Sequence, residues 1–410
     1  MLEALLPDRL GTPFRWLVGS SWLTNLGDGI AVAAGPLLVA GLTRNPVLIA
    51  LAAGLQWLPR LLLGLLAGVL ADRLDRRRVL LISGGLRIGV LAGLIGCLAA
   101  GRLSVPIVLI TVALLGTVDT VAETTNRTLL PMLVAPDDLG PGTARMQAGF
   151  LVGNQLIGPP IGAALFAAGM AWPFLAQAVL IGSGLIMISR LVLPVLDPAS
   201  STDSGSRADR RISTDIVDGA RWLWSHPPVR TLTLMILSFN VAYGATTSVL
   251  VLYAGDRLGL GEIGFGLIST AIAVGGLIAM SRYDWFERTF DAAVIMKAGL
   301  AVETLTHLAL ALTTSTWVAM AVFGVFGGQA FVWGTTAMSV RQRSVPLEIQ
   351  GRVGGFYLMG LTGGLVLGSA LGGLLARVWG VTAPFWFAFV ASALMLAGLW
   401  RQLDHIADTA

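Results

Sequence analysis

Long apolar runs, each closed by a short polar break, recur along the whole of this 410-residue chain. Spanning about 30 Å of hydrocarbon at 1.5 Å per helical residue takes roughly twenty residues. That yardstick predicts twelve spans, at 15–41, 46–71, 79–100, 104–126, 145–168, 173–194, 230–254, 263–281, 293–313, 316–340, 352–376 and 383–402. Backbone in hydrocarbon must satisfy its own N–H and C=O groups, so such runs fold as helices. The expected class is therefore an all-α membrane protein. The charged fraction of 12% agrees, being half of the roughly 25% of a soluble domain. One break sets the orientation: Asp72-Arg73-Leu74-Asp75-Arg76-Arg77-Arg78 separates two apolar runs, and short arginine-rich loops stay in the cytoplasm. Both termini are then expected on the cytoplasmic side. On that assignment the outer loops hold only Arg44, Arg102, Arg257 and Arg377. Arg60 and Arg87 fall inside spans, and the other 21 of 27 Lys and Arg lie on or near the inner side. The net charge of +4 is thus topological bias, not a nucleic-acid surface.

Several chemistries are absent from the sequence. Cys97 is the sole cysteine, and His226, His307 and His405 are far apart, so no disulfide or metal cluster is expected. Neither a nucleophile–base–acid set nor a Gly-x4-Gly-Lys-Ser/Thr phosphate loop occurs, which argues against an enzyme and against a cofactor. The start of the chain, with Glu3 and Asp8 before the first span, lacks the basic n-region of a cleaved signal peptide. The expected partners are a small molecule and the lipid bilayer, with the chain working as a monomer.

Asp197 to Thr214 is rich in Ser, Asp and Arg and has no apolar period, so it reads as a linker. After it, Asp215 to Trp224 is short and amphipathic, as expected of a helix lying in the inner membrane interface. The predicted organisation is a six-helix bundle at 1–195, a linker with interfacial helix at 196–229, and a second six-helix bundle at 230–410. The bundles echo each other. Asn25-Leu26-Gly27-Asp28-Gly29 is matched by Asn240-Val241-Ala242-Tyr243-Gly244, Gly158 and Gly162 by Gly368 and Gly372, and Pro136 by Pro346. Paired halves of this kind suit alternating access around a midplane cavity.

Three stretches carry a family resemblance. Gly68-x3-Asp72-Arg73-x-x-Arg76-Arg77 resembles the signature loop of the major facilitator superfamily, with Asp75 where a glycine is usual. Gly27-Asp28-Gly29 followed by Pro36-Leu37-Leu38, and Gly219-Ala220-Arg221 with His226-Pro227-Pro228-Val229-Arg230, resemble its bacterial exporter branch, which includes the enterobactin exporter and macrolide-efflux proteins. The resemblance covers nearly the whole chain. It implies two pseudo-symmetric bundles and a gate latch formed by the loop residues Gly68, Asp72, Arg73, Arg76 and Arg77 with Asp119, Glu123 and Arg127. Gly158-Pro159-Pro160-Ile161-Gly162 resembles the antiporter motif of the fifth helix, although Asn154 and Ala163 replace two expected glycines. That favours export over import.

Charges inside spans cost several kcal/mol or need partners, so they are functional candidates by default. Asp28 and Arg60 lie at depths of about 20 and 18 Å and are expected to pair near the midplane. Arg87 and Asp119 are a second depth-matched pair, each about 12 Å deep. Glu303 shares a face of its span with His307 at i, i+4. Asp28, Arg60 and Glu303 are the candidates for coupling or substrate contact, with a proton as the coupling ion. Asn25, Gln56, Trp57, Asn154, Gln155, Gln177, Asn240, Tyr243, Gln329, Trp333 and Thr335 are the candidates to line a cavity. A largely apolar cavity with few polar anchors suits amphipathic, drug-sized ligands. The expected function is a proton-coupled efflux transporter of the inner membrane. An importer or facilitator of the same fold stays open, and a non-transporting receptor more distantly.

Overall fold

The computed structural model describes residues 10–191, 212–346 and 349–407. Among them the chain is helical throughout and has no strand. Eleven helices are long and apolar enough to cross a membrane. A twelfth counts if Pro227–Thr247 and Leu250–Arg257, bent by 43° at Ser248–Val249, are taken as one span. The all-α membrane class stands on that.

The first long helices are α1 (Gly11–Leu42), α2 (Pro46–Arg73), α3 (Arg76–Ala99) and α4 (Val105–Arg127). Local chemistry sets their ends. Asn45 caps α2, its Oδ1 accepting from Val47 N at 3.0 Å, with Pro46 in the first turn. Gly101, at φ +64°, supplies the left-handed residue of the turn after α3. The polar block at 72–78 is not a free loop. Helix α2 continues to Arg73, only Leu74 and Asp75 break it, and Asp75 caps α3 by accepting from Arg78 N at 2.8 Å. This accounts for aspartate where the superfamily's signature has glycine, since both types serve at that helix position. Asp75→Ala is expected to lower stability by about 1 kcal/mol and Asp75→Gly by only a few tenths, read as melting temperatures of the purified protein.

The fifth membrane segment comprises α5 (Leu139–Gly149), a π-helical stretch at Phe150–Ile157 and α6 (Gly158–Ala168). The π stretch follows from sequence. Pro159 and Pro160 have no N–H to offer the carbonyls four residues back, those of Gln155 and Leu156. The helix widens there, with Gly158 N donating five residues back to Gly153 O. The freed carbonyl of Leu156 accepts from Thr270 Oγ1 at 3.0 Å. Next come α7 (Trp172–Ser189), α8 (Ile212–Ser225), α9 (Pro227–Thr247), α10 (Glu262–Ser281), α11 (Tyr283–Thr289), α12 (Ala292–Leu312), α13 (Thr316–Ser344), α14 (Gln350–Trp379) and α15 (Ala383–Ala407). The amphipathic stretch expected at 215–224 is thus helical within α8, and its Trp224 is 64% exposed. Most of the linker preceding it lies outside the described residues.

The described residues divide into two compact units. The first holds the described part of Met1–Pro194 with Ser248–Ala273 and Gly373–Val381. The second holds that of Val195–Thr247 with Val274–Gly372 and Thr382–Ala410. In the first unit α1 packs along α7 and α6, α2 along α4, and α3 against both α4 and α7. Bare backbone lets α1 and α6 meet: a Cβ on Gly158 would stand 2.6 Å from Gly29 Cα. The second unit repeats the device. A Cβ on Gly244 of α9 would stand 2.7 Å from Leu365 O of α14, and one on Gly368 3.0 Å from Gly244 Cα. The matched asparagines behave alike, Asn25 donating to Ser21 O at 2.8 Å and Asn240 to Ile236 O at 2.7 Å. Sequence echo and packing echo coincide.

Candidate functional site

Four of the charged side chains expected inside the spans, Asp28, Arg60, Arg87 and Asp119, are ion-paired in the first unit. Arg87 of α3, only 5% exposed, sits between two carboxylates. It is ion-paired with Asp28 of α1, and its Nε lies 2.8 Å from Oδ1 of Asp119 on α4. Gln177 of α7 donates to the same Asp28 oxygen at 3.3 Å. One turn along α4, Glu123 pairs with Arg60 of α2 and accepts from Arg127 at 2.6 Å. The Arg60 guanidinium also lies over the Trp57 ring, 5.4 Å from its centroid. The result is three arginines against three carboxylates, arrayed along the Asp119–Glu123–Arg127 face of α4.

The expected Arg87–Asp119 pair is present, but the expected Asp28–Arg60 pair is not. Each of those two residues has another partner, and the reason is helix neighbourhood. Because α2 packs along α4, Arg60 meets Glu123, while α1 packs along α7 and turns Asp28 toward Gln177 and Arg87. Depth along a helix axis was a sound guide, but an arginine side chain spans more than a helical turn, so depth alone could not choose between Arg60 and Arg87. Arg87 is the hub, a role that matched depth with Asp119 alone does not reveal.

Two of the signature-loop arginines reach neighbouring elements. Arg76 points Nη1 at Met132 Sδ, 3.0 Å away, and Arg77 donates to Ser189 O, the last carbonyl of α7. A cation at that helix C-terminus meets the negative end of its dipole. Gly68 is half-buried with open space where a Cβ would be. The side chains of Asp72 and Arg73 lie outside the described residues. Of the antiporter-like motif, Gly158, Pro159 and Gly162 are all buried, the two glycines against α1.

The cavity candidates separate into several environments. Gln56 is exposed, and Trp57, Gln155 and Asn154 are half-buried, the backbone of Asn154 lying against Gly29. Asn25 is half-buried and bonds to Ser21. Asn240 is buried and satisfied by its own helix. Trp333 belongs to the apolar core of the second unit, 4% exposed among Leu232, Met235, Met296 and Leu300, and stacks on Phe239 at 5.7 Å. It is therefore a packing residue rather than a cavity wall. Tyr243 stacks on Phe326 at 5.7 Å, and Thr335 bonds to Phe331 O within its helix. Gln329 is buried with neither amide atom bonded. In the same unit Glu303 and His307 pair at 2.8 Å, 1% and 3% exposed. Among the described residues no group of three or more His, Cys, Asp and Glu could hold a metal ion.

A buried guanidinium shared by two carboxylates can do one thing that a simple pair cannot. When one carboxylate takes a proton, the other still neutralises the arginine, so a proton can come and go without stranding the buried guanidinium.

Comparison with known proteins locates the chain. The model of the Major Facilitator Superfamily matches residues 17–357. The multidrug efflux pump Tap of Mycolicibacterium fortuitum is 26% identical over 396 residues, covering 91% of each chain. The enterobactin exporter EntS of Shigella boydii is 24% identical over 88% of this chain and 85% of its own. Among solved structures, a bacterial homologue of the iron transporter ferroportin in its inward-facing state superposes with a TM-score of 0.74 at 18% identity, over 95% of this chain and 98% of that one.

Proposed function

The chain belongs to the major facilitator superfamily, a family of multi-pass membrane transporters, and from that premise we propose that it is a proton-coupled efflux carrier. In this reading it lies in the inner (plasma) membrane with both termini cytoplasmic. It works as a monomer by alternating access and extrudes amphipathic small molecules, whether drugs, macrolides or siderophore-like natural products, in exchange for protons. The observation that carries the reading is Arg87 held between Asp28 and Asp119 in the membrane-spanning part of the first unit. Asp28 and Asp119 are the exchangeable carboxylates, and Arg87 is the fixed counter-charge that is neutralised by whichever of them is ionised. Arg60, Glu123 and Arg127, one turn further along α4, are ion-paired by the same logic and form the gate end of the array, with the 72–78 turn as the latch.

Three further features support export of apolar cargo. The Gly158–Gly162 stretch resembles an antiporter motif, the relatives Tap and EntS are named as an efflux pump and an exporter, and polar side chains in the spans are few. The experiment is accumulation of a panel of lipophilic dyes and antibiotics by everted vesicles under an imposed pH gradient. Accumulation there corresponds to export from the cell. Asp28→Asn is expected to reduce gradient-driven accumulation about tenfold or more, with Asp119→Asn reducing it less because Asp28 then remains Arg87's partner. Wild-type rates and wild-type gradient dependence in Asp28→Asn would remove the carboxylate from the coupling role. Wild-type vesicles that expel preloaded compound instead of accumulating it would identify an importer.

A further inference from the structure

Outside the charged array, the second unit buries a titratable pair that the exchange at Arg87 does not use. Glu303 and His307 are one turn apart on α12, 1% and 3% exposed, with Glu303 Oε1 2.8 Å from His307 Nε2. Their remaining polar atoms, Glu303 Oε2 and His307 Nδ1, are buried and have no hydrogen-bonding partner among the described residues. Gln329 of α13 is in the same position at both ends of its amide. It belongs to the same place: Gly299 packs against Trp333, so one turn further along the antiparallel helices brings Glu303 level with Gln329. Leaving such atoms unpaired costs about 1–3 kcal/mol each, and four of them at one level of two packed helices mark a polar site rather than a packing defect.

The charge surroundings are sparse. Of the helices packed on this one, α9 brings Tyr243 within electrostatic reach of Glu303, and its Arg230 sits over Trp224 instead. The stretches 316–340 of α13 and 383–400 of α15 contain no ionisable residue. On α12 itself Lys297 lies nearly two turns from Glu303, with Nζ 4.7 Å from the Trp400 ring centroid. His307 is thus the cation donor within direct reach of the Glu303 carboxylate.

Buried charge and hydrogen-bond complementarity together set the proton count. Suppose one proton is shared between Glu303 Oε1 and His307 Nε2. Whichever of the two carries it, Nδ1 bears a hydrogen and Oε2 is an acceptor. The outward-facing set is one donor and one acceptor, and the Gln329 amide offers the matching acceptor and donor through bridging water. Suppose instead that the proton is absent. His307 must then donate from Nε2 to the carboxylate, Nδ1 becomes a bare acceptor, and the set is two acceptors, which use both hydrogens of the Gln329 Nε2 and leave its buried Oε1 without a donor. The buried pair would also carry a net negative charge with nothing against it.

We propose that Glu303, His307 and Gln329 form a second proton site, in the second unit, that holds one proton shared between carboxylate and imidazole. This site stands whether or not Asp28 carries the coupling proton. It gives the carrier two proton-binding centres, one in each unit, of different chemistry. The first exchanges a proton against a permanent guanidinium, and the second holds one within a neutral Glu–His pair.

The test uses full-length protein in detergent or nanodiscs with 15N-labelled histidine, in a His226→Gln/His405→Gln background that leaves His307 as the sole histidine. Spectra are taken at about pH 8, above the ordinary range of both a carboxyl and an imidazole. The expected result is Nδ1 of His307 bearing hydrogen, either as an imidazolium or as the Nδ1–H tautomer with a Glu303 carboxylic-acid band in the infrared. Glu303→Gln should remove that imidazolium or that band, one proton per chain. Gln329→Met should reduce the preference for Nδ1–H. A His307 that is neutral, hydrogenated at Nε2 and bare at Nδ1 overturns the proposal, and this readout needs no substitution within the buried site. A carboxylic-acid band or imidazolium unchanged in Glu303→Gln overturns it as well.

Discussion

Replacing Arg87 by methionine is expected to lower stability by about 3–5 kcal/mol and to abolish transport. Methionine keeps much of the side-chain volume, so the loss is of charge rather than packing. What remains is Asp28 and Asp119 without the guanidinium that they share, in a membrane-spanning bundle where that cation is 5% exposed. Gln177, at 3.3 Å from Asp28, is a neutral donor and cannot replace a full positive charge. Arg87→Lys should be intermediate, because an ammonium keeps the charge but lacks the fork that reaches two carboxylates from different helices. The decisive companion is the triple variant Arg87→Met/Asp28→Asn/Asp119→Asn. With charge removed from all three positions it should regain most of the lost stability and stay inactive. Melting followed by the fluorescence of the 12 tryptophans, beside vesicle transport, separates the two effects. If Arg87→Met melts like the wild type, the guanidinium is not the counterion that the geometry makes it. If the triple variant transports, the array is structural and the coupling carboxylate lies elsewhere.

Gly158→Ala is expected to cost about 3 kcal/mol, the upper end of what overpacking a tight interface does. The reason is the identity of the neighbours. An added Cβ at residue 158 would lie 2.6 Å from Gly29 Cα and 2.7 Å from Gly29 C, both main-chain atoms of α1. A flexible side chain could swing aside, but a helix backbone moves only as a unit, so α1 and α6 must separate. Asp28, next to Gly29, would be carried away from Arg87, and transport should fall with stability. Gly93 on α3 is the internal control. A Cβ there meets nothing within 4 Å, so Gly93→Ala should stabilise the helix by roughly 0.5–1 kcal/mol. Purified yields and melting temperatures of the pair measure the difference. Equal behaviour of the two variants would mean that the close approach at Gly158 is not maintained in the membrane.

Some of the functional arrangement was available from residue spacing, because spacing within one helix is a sequence property. Asp119, Glu123 and Arg127 fall on one face of α4 at i, i+4, i+8, and Glu303 and His307 share a face of α12. The Glu123–Arg127 and Glu303–His307 pairs are both formed. Likewise Pro159-Pro160 announces a disturbed helix, and the π-helical stretch at Phe150–Ile157 is its consequence. Where the reading had to cross between helices it divided. Arg87–Asp119 followed from matched depth, but Asp28–Arg60 did not form, since depth says nothing about which helix is next to which.

The sequence by itself determined that this chain is a bundle of membrane helices, because apolar run length is fixed against the thickness of a bilayer. It also determined which faces carry charge, through the helical repeat. Only the tertiary structure decided that Arg87 is the hub and that Glu303, His307 and Gln329 each bury polar atoms without a bonding partner. It alone showed that Asp75 is a helix cap and Trp333 a core residue. Those facts depend on which helices lie side by side and how each is rotated about its axis. Both are set by the summed packing of many small contacts, such as the bare glycine seams at Gly29 and Gly244, and neither is written at any single position in the chain.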